Sequence, residues 1–298
     1  MNKCHIDIGF VILHYIVYED TIDCVDSIKS KIDTENYRIV IIDNDSPNNS
    51  YEILYEKFKE DKKINILRNN ENLGFACGNN VGINYIFKYF SPEFVVCLNN
   101  DILLIQNDLF KKVSYEFQNY KFSVMGPMIF TSDGRCDSSP FEKKINSLHD
   151  VIKGERVEKL FYYFDKFYLY NVFDKIYKIR RKFKKLDLNK NFPVYLKHET
   201  DVILHGSFLI FSPLYFEKFN GFNESTFLYH EEEILYVLTK FKGMKMLYSP
   251  IVQVYHKEDA ATDAINIKGR KKRLIKQKQC LESSKQLIKL YKELISEN

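Results

Sequence analysis

Short apolar, β-branched runs alternate with stretches of helical spacing over the first 130 residues of the chain. The apolar runs predict strands at 10–13, 38–42, 64–67, 94–98 and 123–129. Apolar residues that recur every three or four positions predict helices at 22–32, 53–58, 81–89 and 109–120. This alternation is typical of βαβ units, so we expect an α/β fold with a mostly parallel central sheet.

The pattern changes after residue 150. Residues 153–190 are basic and aromatic with almost no Gly or Pro, which predicts one or two inserted helices. Beyond them the pattern predicts a strand at 207–211, a short helix near Phe216, a helix at 231–242, strands at 245–248 and 252–255, and a final amphipathic helix. We therefore expect four parts: an α/β half at 1–130, a helical insertion at 131–202, a second half at 203–262 and a C-terminal helix at 263–298.

Composition indicates a globular protein, since 45% of its 298 residues are apolar. The sequence has no apolar run of about 20 residues and no apolar secretory leader at its start, which predicts a cytoplasmic protein. Six scattered cysteines indicate neither a zinc site nor a disulfide framework. The net charge of +4 is uneven, because residues 153–190 carry twelve Lys or Arg against five Asp or Glu, and residues 268–298 carry ten against three. Such segments can serve nucleic acid, anionic lipid or solubility.

Polar clusters follow two of the predicted strands, and open α/β sheets bind ligands at the carboxyl ends of their strands. The second strand leads into Asp43, Asn44 and Asp45, which can hydrogen-bond a base or a ribose, although these residue types also form ordinary turns. The fourth strand leads into Asn99, Asn100 and Asp101. Oxygen ligands suit Mg²⁺ or Mn²⁺, and Asp101 is the candidate anionic ligand.

Residues 69–80 place two glycines and several amides between a strand and a helix. Glycine permits a close backbone approach and a helix N-terminus favours negative charge, so the segment is a candidate diphosphate site. The candidates are Asn72, Gly74, Phe75 and Asn79. The dinucleotide fingerprint G-x-G-x-x-G and the G-K-[ST] of the phosphate-binding loop are both missing, and a helix cap explains part of the segment without a ligand.

Three consecutive carboxylates, Glu231, Glu232 and Glu233, begin a predicted helix. Acidic residues stabilise helix N-termini, but three are more than a cap needs. At most two of them can face a common site, and Glu231 lies nearer the buried stripe of the helix than Glu232. His256 ends the last predicted strand, and a lone histidine is more often structural than a ligand.

Taken in order, these segments resemble the family 2 glycosyltransferases, especially the bacterial rhamnosyltransferase-like enzymes of surface-polysaccharide assembly. The resemblance covers residues 8–130 and 203–258. Residues 41–47 are similar to the strand end that holds the nucleotide base, residues 72–80 to the family's N-x-G-F-A-x-G-x-N segment, residues 99–101 to a variant of its Asp-x-Asp metal motif, and residues 221–229 to the segment that precedes its Glu-Asp pair.

The resemblance implies a GT-A fold, with a half that binds the nucleotide sugar and a half that binds the acceptor and supplies the base. It implies inverting, Mn²⁺- or Mg²⁺-dependent hexosyl or rhamnosyl transfer from a UDP- or dTDP-sugar to a glycan or lipid-linked oligosaccharide acceptor in capsule, O-antigen or cell-wall polysaccharide synthesis. Glu232 takes the place of the basic Asp, Asp101 that of the metal-binding Asp, and His256 that of a histidine near the metal. Ile234 stands where a further Asp is usual, so the choice between Glu231 and Glu232 stays open.

Two other functions compete with this one. A nucleotidyltransferase would need a Gly-rich, Lys- or Arg-bearing first loop, whereas residues 14–17 here read His-Tyr-Ile-Val. A non-catalytic polyanion-binding module would use the basic segments, but no nucleic-acid motif accompanies them. An anionic membrane surface is a further candidate partner, through aromatic residues between Phe161 and Tyr177 and cations between Arg180 and Lys185. Equally, the aromatic residues could pack against the core or a second subunit of a homodimer.

Overall fold

The computed structural model describes residues 3–132, 139–141, 145–170, 174–175, 196–257 and 269–297. The strands are β1 (Cys4–His14), β2 (Tyr37–Asp43), β3 (Ile64–Arg68), β4 (Phe90–Asn99), β5 (Ile102–Leu104), β6 (Val124–Thr131), β7 (Glu199–Thr200), β8 (Phe208–Phe211) and β9 (Met246–His256). The helices are α1 (Tyr18–Lys31), α2 (Ser50–Phe58), α3 (Gly74–Tyr89), α4 (Leu109–Tyr120), α5 (Leu148–Lys166), α6 (Pro213–Phe216), α7 (Glu231–Phe241) and α8 (Gly269–Ser296).

All nine strands form one sheet, in the order β3-β2-β1-β4-β8-β6-β9-β5, with β7 paired to β9. The four strands β3, β2, β1 and β4 are parallel to one another, and so are β6 and β9. Strand β8 runs antiparallel between β4 and β6. The predicted α/β fold with a mostly parallel sheet is therefore confirmed.

Helices cover both faces of the sheet, which explains why its central strands are almost continuously apolar. On one face, Ile8, Phe10 and Ile12 of β1 join buried side chains of α1, α2 and α4. On the other face, Val11 of β1 joins buried side chains of α3, α7 and α8. Because side chains alternate along a strand, one run of β1 supplies both cores.

The last long strand differs from the prediction, which split it in two. Strand β9 runs unbroken from Met246 to His256, and its pairing with β6 shifts between Pro127 and Met128. Pro127 pairs with Ser249 and Met128 with Gln253, so the bulge takes up Pro250, which has no backbone N–H to donate. The turn-like Ser-Pro dipeptide therefore marks a bulge and not a strand end.

Helix α5 lies within the segment predicted as a helical insertion, α8 lies within the predicted C-terminal helix, and the two helices pack against each other. Asp165 at the end of α5 is buried and forms a two-point ion pair with Arg273 of α8, at 2.5 and 2.8 Å. Phe173, Tyr177 and the cationic run 180–185 lie outside the described residues. Within the described part of the chain, no helix combines the length and apolar character needed to cross a bilayer.

Candidate active site

The polar residues that follow the strands lie at one edge of the sheet, called here the carboxyl edge because β1, β2, β3 and β4 end there. In the strand register, His14 lies beside Asp43, and Leu13 lies beside Asn99. Strand β8 runs the other way, so its first residue, Phe208, pairs with Leu98 at the same edge. The chain leaves β1 toward β2 on one side and reaches β4 on the other, and such a reversal opens a ligand crevice in α/β sheets.

Asp43 is fully buried at the end of β2, and one of its two carboxylate oxygens has no described hydrogen-bond partner. Its Oδ1 accepts a 2.7 Å hydrogen bond from the Ser46 backbone, whereas Oδ2 has no partner among the described residues. Burial raises the pKa of Asp43, and the hydrogen bonds from Ser46 oppose that shift. Asp45 follows with a left-handed φ of 62°, a conformation that Asp tolerates better than most residues.

Asn44 holds the next loop together with its own side chain. Its Oδ1 accepts hydrogen bonds from Asn69 Nδ2 at 2.9 Å and from the backbone of Leu73 at 3.0 Å. Its Nδ2 donates to Asn72 Oδ1 and to the Gly74 carbonyl, both at 3.0 Å. The amide of Asn44 therefore faces the protein, and it ties the end of β2 to the start of α3.

The N-terminus of α3 is occupied by protein groups, which differs from the expected diphosphate site. The backbone N–H of Gly74 donates to Asn72 Oδ1 at 3.0 Å, and that of Phe75 donates to the Phe227 carbonyl at 2.9 Å. Gly74 has a φ of 77°, and a Cβ there would lie 2.1 Å from the Phe227 carbonyl oxygen. Glycine is therefore required at position 74 because the chain ahead of α7 approaches it closely. Asn79 Nδ2 donates back to Phe75, and its buried Oδ1 has no described partner.

Asp101 and His256, the two predicted metal ligands, are neighbours. The antiparallel pairing of β5 with β9 sets Ile102 beside His256, and the Lys257 backbone donates to the Asp101 carbonyl at 3.0 Å. Asp101 Oδ1 lies 3.2 Å from His256 Nε2. The contact lacks hydrogen-bond geometry, and both Asp101 Oδ1 and His256 Nδ1 are buried without a described hydrogen-bond partner.

The pair fits a divalent ion with oxygen and nitrogen ligands. Two adjacent ligands of an octahedral ion, each about 2.1 Å from it, lie about 3.0 Å apart, which is close to the observed separation of Asp101 and His256. The described residues contain no group of three or more His, Cys, Asp or Glu side chains arranged for a metal. A site with two protein ligands is one that substrate phosphates and water complete.

Asn99 and Asn100 differ in what they contact. Asn99 is half-buried, and its backbone N–H donates to the Ser207 carbonyl at 2.9 Å. Asn100 is buried, and its Nδ2 donates to the Val17 carbonyl and to Thr21 Oγ1, both at 3.1 Å. Thr21 in turn contacts His14 Nδ1 at 2.7 Å. Asn100 therefore fixes the turn ahead of Asp101 against α1.

The two candidate bases differ in their contacts. Glu231 is buried, and its Oε1 accepts a 3.1 Å hydrogen bond from Thr226 Oγ1, which closes the turn ahead of α7. Glu232 points instead to the segment before β8, where its Oε1 accepts the Gly206 N–H at 3.2 Å. A Cβ at Gly206 would lie 2.6 Å from that oxygen, so glycine lets the carboxylate approach the carboxyl edge.

The pKa of Glu232 is shifted toward neutrality. Burial raises its pKa to about 7, with further contributions from the charges of Glu233 and Glu231. Burial likewise raises the pKa of Glu231. A carboxylate with a pKa near neutrality is a much stronger proton acceptor than an ordinary one and is still ionised in a large fraction of molecules at pH 7.

His205 belongs to the same edge and was not singled out from the sequence. Its Nδ1 lies 2.8 Å from Ser207 Oγ, and its ring centre lies 5.8 Å from that of His256. Burial lowers its pKa to about 4, so the ring is neutral at pH 7. A histidine just ahead of an apolar strand was the available signal, but the partner ring lies on β9, which the sequence alone does not place beside it.

The turn that leads into α7 is strained, and contacts from α5 and α8 stabilise it. Tyr229 and His230 both adopt left-handed φ values, 72° and 67°. His230 Nε2 lies 3.0 Å from Glu158 Oε1 of α5, and its Nδ1 lies 3.3 Å from Glu233 Oε1. From α8, Ser283 Oγ donates to the Leu228 carbonyl at 2.7 Å. These contacts hold a conformation that costs an ordinary residue about 1 kcal/mol or more.

We expect Glu158→Gln to loosen this turn. Burial opposes the charge of His230, but hydrogen bonds with Glu158 and Glu233 outweigh it and raise its pKa to about 10. The imidazolium therefore stabilises the fold below its unfolded pKa of 6.5, and this stability is lost as the pH rises through about 10. The substitution should lower the free energy of unfolding by about 1–3 kcal/mol at pH 7, measured by urea denaturation. Glu155→Gln on the same helix is the control, and equal losses in the two variants would contradict the role of Glu158.

A cavity of about 360 Å³ lies apart from these groups. It is lined by α3, by the loop 219–224 and by Leu238 of α7. Asn80 borders it, but its Nδ2 and Oδ1 are bound to the backbone of Phe222 at 2.9 and 2.7 Å. None of the predicted nucleotide, metal or base residues lines this cavity.

Residues 10–141 match the family model described as Glycosyl transferase family 2. This part of the chain, a little under half of it, is therefore similar to that family. The match covers the ends of β1, β2 and β4 and the whole loop before α3, whereas residues 221–229, which also carried the resemblance, lie outside it. Among curated proteins, none matches this chain.

Solved structures share its fold. S. aureus TarS 1-349 aligns with a TM-score of 0.52 at 12% identity, covering 85% of this chain and 60% of that one. The same protein in complex with UDP-GlcNAc gives 0.53 at 11% identity, covering 90% and 61%. GalNAc-T7 with UDP, GalNAc and Mn²⁺ gives 0.55 at 15% identity, covering 86% and 44%. The chain thus spans about three fifths of the TarS 1-349 chain. At such identities the likeness shows the GT-A-type fold alone.

Proposed function

We propose that the chain is an inverting, metal-dependent glycosyltransferase that passes one sugar from a UDP- or dTDP-sugar to a hydroxyl of a glycan or lipid-linked oligosaccharide in surface-polysaccharide synthesis. The observation that carries the proposal is the separation of roles at the carboxyl edge. Glu231 is bound within its own turn, whereas Glu232 faces the segment that also carries His205, beside the Asp101 and His256 pair. Direct displacement needs one general base and one bound metal ion, which here would be held by one pair of ligands.

The donor nucleotide would lie at the ends of β1, β2 and β4. Asp43 offers a buried carboxylate oxygen without a partner, which suits the N–H of a uracil or thymine ring. Asn44, Asn72 and Gly74 shape the loop around this position through the hydrogen bonds described above, so we infer a positioning role for them. UDP is bound in the TarS and GalNAc-T7 structures, which supports this choice of donor.

A divalent cation, Mn²⁺ or Mg²⁺, would be held by Asp101 and His256 and would neutralise the charge of the diphosphate leaving group. Mn²⁺ is present in the GalNAc-T7 structure, which supports the choice of ion. Asn100 holds the turn that presents Asp101, through its contacts with Val17 and Thr21. His205, neutral at pH 7, packs beside His256 and limits its movement.

In the transfer step, the Glu232 carboxylate accepts the proton of the acceptor hydroxyl. The hydroxyl oxygen forms a bond to the anomeric carbon as the bond from that carbon to the diphosphate oxygen breaks, so the nucleoside diphosphate leaves with its electron pair. The anomeric configuration inverts because a single displacement occurs. Glu232 then returns its proton to solvent. The Gly206 N–H holds the carboxylate in place at 3.2 Å throughout.

Ligand binding tests this proposal against its rivals. We expect UDP- or dTDP-sugars with Mn²⁺ to raise the thermal unfolding temperature, and an oligonucleotide of similar charge to leave it unchanged. A nucleoside triphosphate with a sugar 1-phosphate serves as the control for a nucleotidyltransferase. Stabilisation by the oligonucleotide, or by the triphosphate but by no nucleotide sugar, would contradict the proposal.

The pH dependence of transfer follows from Glu232. Its pKa of about 7 means that the base is protonated, and inactive, in acid. We expect kcat at saturating donor to fall about tenfold per pH unit below pH 7 and to level off above it. A pH-rate profile with a soluble acceptor measures this, and a constant kcat between pH 5 and pH 7 would show that another group is the base.

A further inference from the structure

Helix α5 presents an unusual outer face. Its exposed residues are cationic, apolar or histidine, without a single carboxylate. They are His149, Lys153, Arg156, Lys159, Leu160, Tyr163 and Lys166. The carboxylates of α5 are buried or half-buried, and Glu158 and Asp165 pair inward, with His230 and with Arg273. Two of the carboxylates of the helix therefore face the protein, and its exposed charges are positive.

Apolar side chains interleave with these cations along one stripe. Lys153, Arg156, Leu160, Tyr163 and Phe167 follow one another at intervals of three and four residues, which places them on one side of the helix. The stripe is about 21 Å long at the rise of an α-helix. Leu160, Tyr163 and Phe167 are 46%, 42% and 66% exposed.

The stripe continues past the end of α5 into residues that are exposed but fixed. Tyr168 is 80% exposed and Leu169 is 49% exposed. Arg270 of α8 lies over the Tyr168 ring at 3.7 Å, and its guanidinium donates to the Asp165 carbonyl at 2.8 Å. In contrast, Phe161 packs on Tyr170, at 6.1 Å between ring centres, and Arg273 of α8 lies over the Tyr170 ring at 4.0 Å, so Phe161 packs toward α8.

We propose that this α5 stripe docks the protein on an anionic lipid bilayer. Anionic headgroups complement the exposed cations of this face, which are Lys153, Arg156, Lys159 and Lys166. The interleaved Leu160, Tyr163 and Phe167 enter the boundary between headgroups and acyl chains, as on interfacial amphipathic helices. A polyphosphate surface such as nucleic acid would meet the cations but would leave the aliphatic Leu160 in water.

The position of the stripe relates docking to the candidate active site. The opposite face of α5 carries Glu158, which holds His230 two residues before the candidate base Glu232. A bilayer under the stripe would thus lie one helix away from the turn that positions the base, where a lipid-linked acceptor would be presented. This use rests on the proposed function, but docking itself does not.

Flotation of the full chain with phosphatidylcholine vesicles, with and without phosphatidylglycerol, tests the proposal. We expect flotation in low salt only when phosphatidylglycerol is present. Replacing Lys153, Arg156 and Lys159 by Gln should lower the partition coefficient about 100-fold. The matched control replaces Lys285, Lys289 and Lys292, which are equally exposed on the C-terminal half of α8, and should change it by less than about threefold.

A second variant tests the apolar residues of the α5 stripe. Replacing Leu160, Tyr163 and Phe167 by Ser should also abolish flotation, whereas Tyr55→Ser with Tyr115→Ser, at two exposed aromatic positions elsewhere, should not. Three results would overturn the proposal: wild type that stays at the bottom of the gradient, equal losses for stripe and control variants, or a stripe variant that only dissociates a dimer. Release of UDP with a soluble acceptor should be unchanged in the stripe variants, whereas absence of this release from the wild type would count against the proposed function and leave docking untouched.

Discussion

Glu232→Gln should leave donor binding nearly intact while transfer falls by about two to four orders of magnitude, the usual contribution of a general base. The amide keeps the size of the side chain and can still accept the Gly206 N–H, but it cannot take a proton from the acceptor. Measurements of kcat with a saturating acceptor, and of donor Kd by calorimetry, separate the two effects.

The same variant should be no less stable than wild type, which excludes unfolding as the cause of its inactivity. Because burial raises the pKa of Glu232 from 4.5 to about 7, the ionised side chain destabilises the fold. Wild-type stability therefore falls as the pH rises from about 4.5 to 7, by up to about 3 kcal/mol, and Glu232→Gln removes this loss.

Glu231→Gln is the matched control, since it lies next to Glu232 and is bound by Thr226. We expect it to reduce stability more than it reduces kcat. If Glu231→Gln abolishes transfer while Glu232→Gln is mild, the base has been assigned to the wrong residue.

Asp101→Asn should remove metal-dependent donor binding and lower kcat/KM by about a thousandfold or more, because a bound cation supplies several kcal/mol of charge stabilisation in reactions of this kind. The amide preserves the shape of the turn held by Asn100 but not the anionic ligand beside His256. Titration of UDP in the presence and absence of Mn²⁺ measures the binding part directly.

Asp108→Asn, at an exposed carboxylate paired with Lys112, controls for the loss of one negative charge. It should bind UDP and Mn²⁺ like wild type. Normal turnover of Asp101→Asn with Mn²⁺ present would show that Asp101 is not the metal ligand.

The strand ends could be predicted from the sequence because they depend on residues that are adjacent in the chain. Apolar runs placed β2 and β4 to within a few residues, and the polar side chains that follow them are adjacent in the chain. The helical wheel likewise placed Glu231 nearer the core than Glu232, and Glu231 is the more buried of the two. The spacing of apolar residues along a helix identifies its buried side, without knowledge of the elements that pack against it.

Contacts between distant segments could not be predicted in the same way. Gly74 was interpreted as an approach to a ligand, whereas its neighbour is the carbonyl of Phe227. His205 meets His256 only because β8 and β9 both lie beside β6, and Glu158 meets His230 only because α5 reaches the turn ahead of α7. A single sequence shows which residues are polar, but it does not show which polar groups the fold pairs with one another.

Metal-dependent release of nucleoside diphosphate tests the central claim most directly. The wild-type protein would be mixed with a panel of UDP- and dTDP-sugars and a soluble glycan acceptor, with Mn²⁺ or with a chelator. We expect release from at least one donor with Mn²⁺, stimulated by acceptor, absent with chelator and strongly reduced in Glu232→Gln. Release that is equal with and without metal, and unchanged in Glu232→Gln, would contradict the claim.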